Sequence, residues 1–153
     1  MCIFKGKQTF FLFLKELTMN KKSTTKKFQV LYHQVDQMGI VHHAQYAYFL
    51  EQSRIEWLQN QGFSYAALER KGTLLPLADI SIQFRSPLRF DDAFFVHVFL
   101  ESFERFFVTF SYVLEDEEEN ILATAKTRLV FVDANTRKAK KCPFYLNNIF
   151  MPE

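Results

Sequence analysis

Between Ala44 and Asn60 the chain contains neither Gly nor Pro, and beyond Gly72 its apolar residues change their spacing. Tyr46, Phe49, Leu50, Ser53 and Trp57 fall at i, i+3, i+4, i+7 and i+11, which is one face of a helix. Gly62 supplies a stop, and Ser64 is placed to cap a short second helix that runs to Lys71 and ends at Gly72. From there the period is two. Ile80, Ile82 and Phe84 alternate with Ser81, Gln83 and Arg85, and Val96, Val98 and Leu100 continue as a strand with Phe95 and Phe99 on its other face. Phe106, Val108, Phe110, Tyr112 and Leu114 alternate cleanly, residues 116–120 read as a charged hairpin tip, and residues 121–133 form the next strand. Upstream, residues 27–34 alternate at Phe28, Val30 and Tyr32 and read as a strand. One strand, a long helix, a short helix and about four antiparallel strands make an α+β domain, with the helix covering one face of a sheet. Several strands are apolar on both faces, which points to subunit pairing through the sheet.

A length of 153 residues suits one domain, here residues 25–153, with residues 1–24 read as a tail. Met19 offers an alternative start to that tail. The apolar run at Phe10–Leu14 is too short for a membrane span, and charge returns at Lys15 and Glu16, so membrane association is not expected. The formal charge of +2 gives no reason to expect nucleic acid, although basic residues gather at Lys21–Lys27 and Arg137–Lys141. The 19 Phe and 6 Tyr require either a very aromatic core or aromatic surface offered to a second subunit or an acyl ligand. Cys2 and Cys142 form no disulfide framework or metal motif, which fits a reducing cytoplasm; no metal is expected.

The residues able to carry chemistry concentrate in 32–54. Asp36 stands at the end of the first predicted strand, three residues before Gly39 and shortly before the long helix. An acid there can act as general base or nucleophile beside the free N–H groups of a helix start, or it can simply cap or form an Asx-turn. His42 and His43 stand at the helix start, where they can cap it or hold an oxyanion or a water. Glu51 and Arg54 are spaced i, i+3 on the helix, as a solvated ion pair would be, or Glu51 turns toward the site. No G-x-S-x-G, P-loop or G-x-G-x-x-G is present, so the chain lacks the motifs of serine hydrolases and nucleotide binders.

The run Tyr32-x-x-x-Asp36-x-x-Gly39-Ile40-Val41-His42-His43-x-x-Tyr46-x-x-x-x-Glu51-x-x-Arg54 resembles the hotdog-fold acyl-CoA thioesterases of the 4-hydroxybenzoyl-CoA thioesterase family, nearest the YbgC-type branch. Phe84-x-x-Pro87-Leu88-x-x-Asp91-Asp92 resembles that family's following strand and turn. The resemblance implies a long helix wrapped by a five-stranded antiparallel sheet, in homodimers or homotetramers whose active site lies at the dimer interface. It implies hydrolysis of an acyl-CoA, or of an acyl group on a carrier protein, with no cofactor beyond the CoA of the substrate. It assigns catalytic roles to Asp36 and His43, with the His43 amide polarising the thioester carbonyl, and substrate contacts to Tyr32, Gly39, Val41 and Glu51. Arg105 falls near the family's phosphate-binding stretch. His42 stands where the branch usually has Tyr, and Leu50 where Phe or Tyr is frequent. The alternatives are a non-catalytic acyl-CoA or carrier-protein binding module and a hotdog enoyl hydratase or dehydratase.

Overall fold

A computed structural model describes residues 23–151. The readings placed on the N-terminal apolar run and on Met19 lie outside those residues. Five strands form one antiparallel sheet: β1 (Ser23–Gln29), β3 (Leu77–Phe84), β4 (Ala93–Phe103), β5 (Phe107–Asp116) and β6 (Ile121–Val130), in the order β1-β4-β5-β6-β3. A two-stranded ladder pairs β2 (Thr73–Leu74) with β7 (Val132–Asp133). The long helix α1 (His43–Asn60) lies on one face of the sheet; α2 (Tyr65–Arg70) and α3 (Asn147–Phe150) are short. The hotdog architecture expected from the resemblance is therefore present.

The helical face read from spacing is the buried one: Tyr46, Phe49, Leu50, Ser53 and Trp57 all face the sheet. Ser53 tolerates burial because its hydroxyl donates to the Phe49 carbonyl. Much of the aromatic content goes into the core. Phe28, Phe49 and Phe94 form one ring cluster, and Trp57 packs between Phe110 and Phe150 in another. Ser64 caps α2 as expected, accepting from the Ala67 amide.

Four expectations need correction. The strand expected over 27–34 begins earlier and stops at Gln29; Ser23 and Thr24, assigned to the tail, are its first residues. Thr24 is buried, and its hydroxyl accepts from Asn60 at the end of α1. Residues 32–34 are instead a 3-10 turn, because Gln34 returns both its backbone and its side chain to Leu31. The last strand does not run unbroken to Asp133: the ladder leaves the main sheet at Phe131, and residues 132–133 pair with β2. Finally, Arg54 does not pair with Glu51. It is 5% exposed and points inward, donating from Nε to the Tyr65 hydroxyl and from Nη1 to the Tyr112 hydroxyl, while Glu51 stays exposed. Burial works against the charge of Arg54. The phenol oxygens of Tyr112 and Tyr65 outweigh that and hold its pKa above the usual guanidinium value.

Candidate active site

A small hairpin feeds α1. The amide of Asp36 donates to Ile40 O, His42 N donates to Gln34 O, and Val35 pairs with Val41. The turn between these arms is closed by Gly39 N donating to Asp36 O, and Gly39 takes a φ of 74°, which costs a residue with a Cβ about 1–2 kcal/mol. Asp at the first position and Gly at the fourth are the residues such a turn prefers. The hairpin is pinned to the segment before β4 by Val41 N donating to Leu88 O and by an Ile40–Arg89 bridge. The two sequence motifs thus meet in space.

Their meeting makes a cleft of about 720 Å3 lined by Tyr32, Val35, Asp36, Gln37, Gly39 and Phe90. Asp36 Oδ1 accepts from the Met38 amide at 2.8 Å, so the Asx-turn reading is correct for one oxygen. Among the described residues Oδ2 has no hydrogen-bond donor, and Asp36 still lines the cleft. The turn thus commits one oxygen of the carboxylate and leaves the other without a protein donor. Tyr32, 79% exposed, meets Phe90 edge-on at 5.6 Å between ring centroids and forms an apolar wall.

His42 and His43 divide the helix start. His42 is the N-cap, with Nδ1 accepting from the Ala44 amide at 3.1 Å, which requires the proton on Nε2. Gln45 N donates to His42 O. The His43 amide has no acceptor among the described residues, so it is the open donor at this helix N-terminus. The His43 ring is exposed and lies against that of His42, with centroids 4.1 Å apart and planes tilted by 30°. His42→Ala is expected to cost about 1 kcal/mol by denaturant unfolding, and His42→Asn to recover most of it, because only the acceptor matters to a cap.

The structure therefore brings Tyr32, Asp36 and Gly39 together. His43 begins α1 just beyond the hairpin arm that ends at His42, and it is not among the residues lining the cleft. Val41 is buried in the core and supports the turn from behind. Glu51 lies two turns further along α1, on the i+4 row of His43 and Ala47, and is exposed. Arg105 lies elsewhere: β4 starts near Phe90 and ends just before Arg105, and its 11 residues span about 35 Å. Within one chain Arg105 cannot meet a ligand in the cleft. Phe90 was missed by the sequence reading, although an aromatic side chain between Arg89 and Asp91-Asp92 is out of character for a charged turn. No group of three or more His, Cys, Asp or Glu converges on a metal position among the described residues. Cys142 is a free thiol whose burial pushes its pKa up to about 12, which keeps it protonated and unreactive.

The chain is 32% identical over 113 residues to YneP of Bacillus subtilis, a candidate acyl-CoA thioesterase, covering 74% of this chain and 82% of YneP. It is 27% identical over 115 residues to the acyl-CoA thioester hydrolase YbgC of Escherichia coli O157:H7, covering 75% and 86%. Among solved structures, a hypothetical protein of Aquifex aeolicus superposes with a TM-score of 0.79 at 30% identity, over 84% of this chain and 99% of that one. The profile of the thioesterase-like superfamily matches residues 30–149, which takes in the hairpin, the helix and the whole sheet beyond β1, so the chain belongs to that superfamily and is a thioester hydrolase of the hotdog fold.

Proposed function

We propose that the protein hydrolyses acyl-CoA thioesters in the Asp36 cleft, and that a second copy completes the site. The observation that carries this reading is the pairing of Asp36, with one oxygen uncommitted, and an open amide at the start of α1. The thioester carbonyl accepts from the His43 amide, which stabilises the negative charge that develops on its oxygen. Asp36 removes a proton from water as the water oxygen attacks the carbonyl carbon. The C–S bond then breaks, and the thiolate leaves with both bonding electrons. Direct attack by Asp36 would give a mixed anhydride that water opens in a second step. Tyr32 and Phe90 hold the acyl group, and His43 orients water or the leaving thiolate.

The need for a second copy follows from β3. It is an edge strand, exposed along most of its length, with Leu77, Ile80 and the 53%-exposed Phe84 apolar on it. A bare apolar edge of this kind recruits another strand. Two-fold pairing of β3 with its copy runs antiparallel and joins two sheets into one. Glu51 and His43 sit on a row of α1 that can then face the second chain. Tetramers and a carrier-protein substrate are further readings of the same kind, and a free Cys142 suits a cytoplasmic setting. Helices among the described residues are too short or too polar to cross a membrane, which says nothing of strands.

Thiol release from a panel of acyl-CoAs tests the activity, and sedimentation tests the assembly, with twice the 18.2 kDa chain mass expected. Binding of acyl-CoA without thiol release, or water addition to an enoyl-CoA, would overturn the hydrolase assignment. A monomer at micromolar concentration would overturn the pairing through β3.

A further inference from the structure

The outer face of the main sheet is the side away from α1. In β4 it carries Phe95, His97 and Phe99, because Phe94, Val96 and Val98 belong to the core beneath the helix. In β5 it carries Ser111, Val113 and Glu115, which alternate with the core residues Phe110, Tyr112 and Leu114. Most of this face is polar and neutralised within itself. Lys27 meets Glu117, Lys126 meets Glu101 and Arg128 meets Glu104. His97 bridges the Thr25 hydroxyl at 2.8 Å and the Glu115 carboxylate at 2.7 Å.

Within this polar face Phe99 and Val113 are each only 7% exposed, yet neither belongs to the core. Phe99 stands in register between Ser23 of β1 and Ser111 of β5, two of the smallest side chains there are. A phenyl ring flanked by serines on a bare sheet face rises above its neighbours and meets water. Its burial therefore needs a layer over this face. The helices of the described residues do not supply one, since the buried apolar side chains of α1, α2 and α3 all belong to the core on the other side. Both residues are covered within a single chain, before any second copy is added.

We propose that the apolar run Phe10–Leu14 docks on the outer face of the sheet over Phe99 and Val113, with Phe95 at its margin. Residues 1–22 lie outside the described residues and enter β1 at Ser23, directly opposite Phe99. The eight residues 15–22 join the run to Ser23. Extended, they reach about 25 Å, whereas β4 and β5 lie about 5 and 10 Å from β1. Lys15, Glu16, Lys21 and Lys22 keep that connection polar, as a segment crossing a charged rim requires. The two residues after Met151 are Pro and Glu and offer no comparable apolar surface. Docking closes this face to a second sheet, so two dimers cannot meet through it. It is independent of the hydrolase reading, because Phe99 stands about 30 Å along β4 from the end at which Phe90 lines the cleft.

The test uses the full chain in three forms: Phe11→Asp/Phe13→Asp, Phe99→Ala, and all three substitutions together. Each of the first two is expected to lower the urea midpoint at constant slope. The combined variant is expected to fall no further than the weaker of them, because both break one contact. Phe11→Asp/Phe13→Asp is also expected to bind anilinonaphthalene sulfonate severalfold more than wild type while keeping its acyl-CoA turnover. Val113→Ala takes the place of Phe99→Ala if that variant does not fold. Additive losses, or a wild-type midpoint and dye binding in Phe11→Asp/Phe13→Asp, overturn the proposal. Wild type that sediments as four chains, and as two only in Phe99→Ala, overturns it in favour of a second copy. Wild-type binding to phosphatidylglycerol vesicles that Phe11→Asp/Phe13→Asp loses overturns it in favour of a membrane. The midpoints and dye binding do not depend on turnover, so they decide the docking even if wild type cleaves no acyl-CoA.

Discussion

Asp36→Asn is expected to lower kcat/KM for the best acyl-CoA substrate by about 10²–10⁴-fold while leaving the melting temperature unchanged. Asn separates the two jobs of this side chain. Its amide oxygen can still accept from Met38 N, so the turn that Oδ1 holds survives. What it cannot do is take a proton from water or attack a carbonyl. Asp36→Ala removes both functions, so its loss of activity should come with a small loss of stability. Full activity in Asp36→Asn, with unfolding unaltered, would reduce Asp36 to a turn residue and move the chemistry elsewhere in the cleft.

Arg54→Ala is expected to destabilise the protein by about 3–5 kcal/mol, read as a lower denaturant midpoint at constant slope. The guanidinium makes hydrogen bonds of 3.0 Å to Tyr65 and 3.2 Å to Tyr112, both charge-assisted, and Tyr112 in turn bonds Thr127 at 2.8 Å. Truncation breaks the tie between α1, α2, β5 and β6 and leaves a cavity beside the buried Tyr112 hydroxyl and the half-buried Tyr65 hydroxyl. Arg54→Met is expected to cost less, about 1–2 kcal/mol, because it keeps most of the volume and takes the charge itself out of the interior, while Tyr112 keeps its bond to Thr127. A loss below about 1 kcal/mol for Arg54→Ala would mean that the network contributes nothing net.

Much of the fold was legible in residue order. The buried face of α1 follows directly from the spacing of Tyr46 to Trp57, and β3 to β6 follow from alternation. Local pattern misled where a side chain answered to something distant. Residues 30–34 alternate like a strand, yet Gln34 folds back on Leu31, and Val30 N pairs with Asp92 O, outside any local pattern. Arg54 has the spacing of a surface ion pair with Glu51. It turns inward because Tyr65 and Tyr112, 11 and 58 residues away, offer it oxygens.

The site divides along the same line. Asp36, Gly39 and the two histidines could be singled out by residue type and spacing, because a turn, a cap and an acid before a helix are local chemistry. The partition within them could not. Which oxygen of Asp36 is committed and which histidine caps are settled by bonds two residues long between equally eligible groups, and the place of Phe90 on the cleft depends on the contact of residues 40–41 with residues 88–89. Most of the elements and the chemical inventory could be read in residue order, since both rest on short-range periodicity and residue type. That Arg105 stands a full strand length from Asp36 came from the fold, because strand order and direction arise from long-range pairing that no local spacing encodes.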